Sequence, residues 1–374
     1  MWKPHALYPS IIFALLLYNG IVVIFLRPVC DQGQTMGGSM ENLAIYVPRP
    51  ANKFTQHYRV AIMTVASVDK MHNYEEALLS MKCYAQLQSY DFLIFNDSHF
   101  VNECRQDRIH FRRHCMVAQA LNNYDYVLLV DSDIVVVNPQ KRIEEFIDPS
   151  ADIIFYDRFY NWEVAIGSYI VKNTSWSRQF LLGLAAYYKP FPPMMRRNDN
   201  VALMARLGFS LSPLNSRRIR TCFRIYDNIK DYYGIVLHAA CVRRTFRTNP
   251  NHVKIYPKGT AWVRDVWLTN SLWSREDDFM LHGCKERRRS SYNSTGPKLG
   301  IADAGGVWYS PFAGSIDLNR CTPGNTSWNY DENLIAKKED IDNQLRLYSS
   351  EVEKEKAKFV DLLTATVFSK FLHP

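Results

Sequence analysis

The run from Val127 to Pro139, VLLVDSDIVVVNP, constrains this chain more than any other segment. Four apolar residues lead into two carboxylates, Asp131 and Asp133, separated only by Ser132. A second apolar run follows at once, and Asn138-Pro139 stops it. Stretches this hydrophobic and β-branched belong inside a sheet covered on both faces. Burying one ionised carboxylate there is costly, and a second beside it is worse unless a cation neutralises both. In an extended segment residues i and i+2 point to the same side, so Asp131 and Asp133 can converge on one hard cation such as Mn²⁺ or Mg²⁺. The blander alternative is a pair of acids in a solvated turn, capping a helix around Arg142–Phe146. The buried-strand context favours the metal.

Similar apolar, β-rich runs occur at Arg59–Val65, Asp91–Phe95, Tyr126–Val130 and Asp152–Tyr156. Helical spacing separates them: Tyr74, Leu78, Met81 and Ala85 form one stripe, and Phe111, Cys115, Ala118 and Leu121 another. Strand-helix alternation of this kind predicts an α/β fold with a mostly parallel central sheet, whose ligands bind at the carboxyl ends of strands. Asp131 and Asp133 stand at such an end. Further on, Ala165–Val171 reads as a strand, and Ser175–Tyr188 and Asp199–Leu207 as helices. Gly234–His238 and Phe279–His282 are short apolar runs ending in histidine. After Asp331 the chain becomes charged and helical, with a stripe of Phe359, Leu362, Leu363 and Val367 expected to pack on the domain.

The N-terminus sets the expected address. Ile11–Leu26 is apolar apart from Asn19 and Gly20. It is longer than a usual signal-peptide core, and no A-x-A-like cleavage site follows. We therefore read residues 1–9 as a cytoplasmic tail, 10–27 as a signal-anchor transmembrane helix and 28–57 as a stem. Residues 58–330 then form the catalytic domain and 331–374 a helical C-terminal segment. That arrangement predicts a single-pass type II protein of the Golgi or endoplasmic reticulum membrane with its bulk in the lumen. N-x-[ST] sequons at Asn96, Asn173, Asn293 and Asn325 agree with it. Eight cysteines without a C-x-x-C pair argue against zinc and for disulfides. A net charge of +8 suits an anionic ligand or simply a solvated basic surface, and the basic clusters lack the spacing and aromatic interleaving of a nucleic-acid surface.

YVLLVDSDIVVVNP resembles the D-x-D segment of GT-A glycosyltransferases, and more nearly the retaining α-galactosyl- and xylosyltransferases of yeasts and plants. DIIFYDRFYNWEVAIGSYIVKN and KGTAWVRDVWLTNSLWSREDDFMLHGCK resemble, closer still, a nematode-expanded family known mainly as a domain of unknown function. The likeness spans Arg59 to Lys285. It implies a GT-A, Rossmann-like fold and a metal-dependent transfer of a hexose or pentose, with retention, from a nucleotide-sugar donor such as a UDP-sugar to a glycan acceptor. By the resemblance, Asp131 contacts donor ribose and metal, and Asp133 and His282 ligate the metal. Gly283 allows close backbone approach, and Lys285 meets the diphosphate. Gly167-Ser168 corresponds to the strand lining the sugar site, although Ala165 and Ile166 replace the usual Asn and Ala. Asp199 and Asn200 resemble the catalytic D-Q element, with Asn200 a shorter amide than Gln; a plain helix N-cap is the alternative for Asp199. Asp157 and Asp265, each following an apolar strand, are lesser candidates for sugar hydroxyls or the acceptor, since an acid in that position is often only a cap. His238 is the structural rival of His282. Two other readings compete: an inactive lumenal sugar-binding or scaffold protein, and a haloacid-dehalogenase-type phosphatase with Asp131 as nucleophile and Asp277-Asp278 as its later acids. Phosphatases of that type usually carry the nucleophile on the first strand and the later acids after an apolar strand, whereas at least two strand-helix units precede Asp131 and Asp277-Asp278 comes before Phe279-Met280-Leu281.

Overall fold

The apolar runs become the interior of a sheet because every second side chain has a helix to bury against. The computed structural model describes residues 58–96, 98–187, 199–212, 217–245, 252–293, 295–324 and 328–363. The expected anchor at Ile11–Leu26, the stem and the sequon at Asn325 lie outside the described residues. Among the described residues no helix is long and apolar enough to cross a membrane.

β1 (Val60–Val65), α1 (Glu75–Gln88), β2 (Asp91–Phe95), α2 (Ile109–Ala120) and β3 (Tyr126–Val130) alternate along the chain. They are followed by β4 (Ile134–Val136), β5 (Ile153–Tyr156), β6 (Ser168–Lys172), α3 (Ser175–Ala185) and α4 (Asp199–Leu211). Then come α5 (Arg217–Asp227), α6 (Tyr232–Arg243), β7 (Val253–Tyr256), β8 (Val263–Asp265), β9 (Met280–His282) and α7 (Lys338–Leu363). Six strands form one sheet in the order β2-β1-β3-β6-β5-β7. One alternating set of strand residues, including Ala61, Met63, Val127 and Leu129, packs with α2, α3, α4 and α6. The opposite set, including Val60, Ile62, Leu128 and Val130, packs with α1 and Trp262. Period-2 alternation between two helical layers is what a doubly covered sheet requires.

The sheet is mixed rather than simply parallel, because β6 runs against both β3 and β5. The reversal matters for function. It places the start of β6, not its end, at the carboxyl end of β3, where Val130 pairs with Ser168 and the Asp131 amide donates to the Gly167 carbonyl at 2.7 Å. The Asp131–Asp133 segment also departs from the extended form expected. It is a turn, closed by the Ile134 amide donating to the Asp131 carbonyl at 3.1 Å. The apolar residues after it leave the main sheet for a second, three-stranded one, β4-β9-β8.

The charged C-terminal segment forms α7, whose Ile341, Leu345 and Tyr348 pack with Trp267 and Leu268, while Phe359 meets Trp162 edge-on. Gly234–His238 lies within α6 rather than in a strand, and Arg142–Phe146 gives only a short 3-10 turn over Ile143–Phe146. Three disulfides link Cys83 to Cys321, Cys104 to Cys115 and Cys222 to Cys241, with Cys284 a buried thiol. The first of them ties α1 to a segment 238 residues away.

Candidate active site

The junction of the two sheets collects the charge. Within the Asp131–Asp133 turn, Ser132 faces away from the carboxylates: its Oγ lies 2.9 Å from the Thr64 hydroxyl and donates to the Val65 carbonyl at 3.3 Å. β9 pairs with β4 so that His282 stands beside Ile134, and Asp133 is pinned from behind because its carbonyl accepts from the Gly283 and Cys284 amides at 3.1 and 3.0 Å. The result is a cluster in which one ligand atom each from Asp131, Asp133 and His282 lies within 4.8 Å of the others. His282 Nε2 is 3.6 Å from Asp131 Oδ2 and 3.4 Å from Asp133 Oδ1, and Lys285 Nζ is 2.9 Å from Asp133 Oδ2.

Electrostatics follow from those contacts. Burial pushes the Asp133 carboxyl up, but His282 and Lys285 outweigh it and hold the group at about 2. Burial likewise opposes ionisation of Asp131, and Arg113 with His282 holds it well below the usual carboxylate range. For His282, burial is overcome by Asp133 and its neighbours, which raise the imidazole well above its ordinary value. Two carboxylates and an imidazole kept this close, with cations already attracted to them, make a donor set of the hardness that Mn²⁺ or Mg²⁺ accepts. The residues fit a divalent ion.

A cavity of about 430 Å³ opens on this cluster. Its lining includes Gly167, Asp157, Asp199, Asn200, Asp265, Lys285, Tyr74, Lys70 and Arg287 as well as the three ligand candidates. Gly167 lies so close to Asp131 that a Cβ there would sit 2.5 Å from the Asp131 Oδ2 atom. Only glycine leaves the carboxylate where it is. Asn200, in the first turn of α4, presents a buried Oδ1 atom that has no hydrogen-bond partner among the described residues. A buried amide oxygen left without a donor is uncommon, and its residue lines the cavity.

Several expected residues sit differently. Ser168 does not line the cavity; strand alternation buries it, its hydroxyl donating to the Leu129 carbonyl at 2.7 Å and accepting from Trp262 Nε1 at 2.8 Å. Gly283 also does not line it, and its φ of +104° serves the bond from its amide to Asp133 instead. Asp157 is held by Arg243. Asp265 is engaged by His282, whose Nδ1 lies 2.7 Å from the Asp265 Oδ1 atom. Asp199 opens α4, but its carboxylate is bound to Arg113 at 2.6 Å, with His114 Nε2 at 3.5 Å. His238 is a core residue of α6, pushed down to about 3 by burial. Asn173 was expected to be an open sequon, yet its Nδ2 donates to the Leu121 and Tyr124 carbonyls at 2.6 and 3.0 Å. Asp278 is buried against Arg264, and Asp277 pairs with Lys338, so neither approaches Asp131 as a phosphatase site would demand.

Arg113 is the residue the sequence reading missed. It reaches from α2 to bridge Asp131 and Asp199, with its side chain only 9% exposed. A signal was present: Arg113, Met116, Val117 and Ala120 form an i, i+3, i+4, i+7 stripe that is wholly buried. A basic residue opening such a stripe has to find carboxylates in the core.

A family model described as "Protein of unknown function, DUF273" matches residues 81–297, more than half of the chain, and the chain belongs to that family. No curated protein matches it. Among solved structures it is similar to a glycosyltransferase involved in the glycosylation of the major capsid of PBCV-1, at 15% identity and a TM-score of 0.38 over 60% of this chain and 93% of that one. It is also similar to the glycosyltransferase GlyE of Streptococcus pneumoniae TIGR4, at 16% identity and a TM-score of 0.28 over 38% and 42%. Scores this low leave the reaction to be argued from the site itself.

Proposed function

We propose that this member of the DUF273 family is a metal-dependent, retaining glycosyltransferase that moves a hexose or pentose from a nucleotide-diphosphate sugar, preferably a UDP-sugar, to a glycan acceptor. The observation that carries the reading is the Asp131, Asp133 and His282 cluster opening into a cavity of about 430 Å³ that Lys285 and Asn200 also line. When bound there, Mn²⁺ or Mg²⁺ would neutralise charge on the diphosphate leaving group. Asp131, Asp133 and His282 would hold the ion, and Lys285 would add a point charge for the phosphates. The bond from the anomeric carbon to the phosphate oxygen breaks as the acceptor oxygen bonds to the same face. The acceptor proton passes to the departing phosphate oxygen, so no separate carboxylate base is needed. Asn200 turns its Oδ1 dipole toward the positive charge that develops at the anomeric carbon. Asp199, tied to Arg113 and His114, orients the first turn of α4 and with it Asn200. We further place the enzyme in the secretory lumen, a proposal supported by the three disulfides.

The test is a screen of the purified protein against UDP- and GDP-sugars with Mn²⁺, scored by release of nucleotide diphosphate. Metal-dependent turnover of a donor is expected. Failure to bind any nucleotide diphosphate with metal would favour an inactive scaffold. Within the same assay, Asn200→Ala should lower turnover by roughly ten- to a thousandfold, about 1.4 to 4 kcal/mol, with donor affinity little changed. A β-anomeric product from a gluco- or galacto-configured α-linked donor, seen by proton NMR, would overturn both retention and the role of Asn200.

A further inference from the structure

We propose that Asp265 is a positioning residue that fixes the tautomer and orientation of His282, and through it the affinity of the site for a divalent cation; this rests on the metal-binding reading of the cluster. β8 and β9 run parallel, and their register places Asp265 beside His282. Asp265 Oδ1 lies 2.7 Å from His282 Nδ1, while Nε2, on the opposite side of the ring, is the nitrogen turned to Asp131 and Asp133. A neutral imidazole carries one proton and can ligate only through its other nitrogen. A carboxylate at Nδ1 keeps the proton on that side and leaves the Nε2 lone pair facing the metal position. Without it, the Nε2–H form would be the better partner for two facing carboxylates, and a protonated nitrogen cannot ligate. Outer carboxylates of this kind also raise ligand basicity.

Asp265 is not simply neutralising a stray core histidine. His238, fully buried in α6, has no hydrogen-bond partner on either ring nitrogen among the described residues, so burial of a histidine does not by itself bring such a carboxylate. One oxygen of Asp265, a candidate for a sugar hydroxyl or the acceptor on sequence grounds, is committed to the ring.

The test uses the full chain and Mn²⁺ alone, with no donor, the free ion being followed by electron paramagnetic resonance. Asp265→Asn, which keeps the shape but removes the charge and lets the amide turn its NH₂ to the ring, should weaken Mn²⁺ binding by about ten- to a hundredfold. Asp265→Glu keeps an anionic acceptor and should lose less than the asparagine variant. In a His282→Ala background, Asp265→Asn should cause no further loss, a result that a generally structural role would not give. Wild-type Mn²⁺ affinity in Asp265→Asn, with or without a raised KM for donor or acceptor, overturns the proposal and leaves the glycosyltransferase reading standing. Absence of Mn²⁺ uptake by the wild-type protein overturns both.

Discussion

Asp133→Asn is expected to abolish metal-dependent donor binding and to lower turnover on the order of a thousandfold or more, the loss of several kcal/mol of leaving-group stabilisation. The substitution is informative because the structure separates the backbone of Asp133 from its charge. Its carbonyl is held by the Gly283 and Cys284 amides, contacts that an asparagine retains. What disappears is the carboxylate that faces His282 Nε2 at 3.4 Å and Lys285 Nζ at 2.9 Å. Lys285 keeps a side chain 29% exposed, so water can take over part of its solvation and the fold should survive. The variant should therefore stay folded in the absence of metal, giving up at neutral pH the stability that the depressed Asp133 carboxyl contributes, while Mn²⁺ uptake is lost. Full turnover in Asp133→Asn, or wild-type turnover in excess EDTA, refutes the metal site.

How much of this was legible in the sequence depended on whether a residue's role was local. Asp131, Asp133, His282 and Lys285 sit in short runs whose apolar context already demands an explanation for charge, and the structure brings all four to one cavity. Their meeting could not be derived from spacing, since it requires β9 to pair with β4 across more than a hundred residues. Gly167 and Ser168 show the limit more sharply. They are neighbours in sequence, but only Gly167 lines the site. Which of the two faces Asp131 depends on the reversal of β6, and strand direction leaves no trace in a two-residue period. Gly283 was expected to allow a close backbone approach, and the structure shows one, to the carbonyl of Asp133; a glycine marks an unusual conformation without saying what approaches it. α6 went unread because it is apolar on most sides, and all-round hydrophobicity erases the periodicity by which a helix is recognised, whereas α5 carries a clear amphipathic pattern that the reading passed over.

Arg113 has the largest stability effect we expect, and its test separates charge from packing. Its guanidinium spans Asp131 and Asp199 from a side chain 9% exposed, and Asp199 is itself only 5% exposed. Arg113→Met fills most of the volume but leaves both carboxylates without their main cation, and breaking a buried pair this way costs about 3–5 kcal/mol. Urea unfolding at pH 7 without metal should show that deficit. Asp199→Asn in the same background should return part of it, because one of the two stranded charges is then gone. The pH dependence carries a sign. In the wild-type protein burial raises the Asp199 carboxyl, but Arg113 and His114 outweigh it and depress the folded value. Asp199 therefore contributes stability above its unfolded value, lost as pH falls through the folded one. Remove Arg113 and burial dominates, so the folded value rises above the unfolded one and protonation relieves the strain. The deficit of Arg113→Met should accordingly shrink as pH is lowered from 7 toward about 4. A deficit that stays constant across that range would assign the loss to packing and remove Arg113 as the cation that keeps Asp131 and Asp199 ionised.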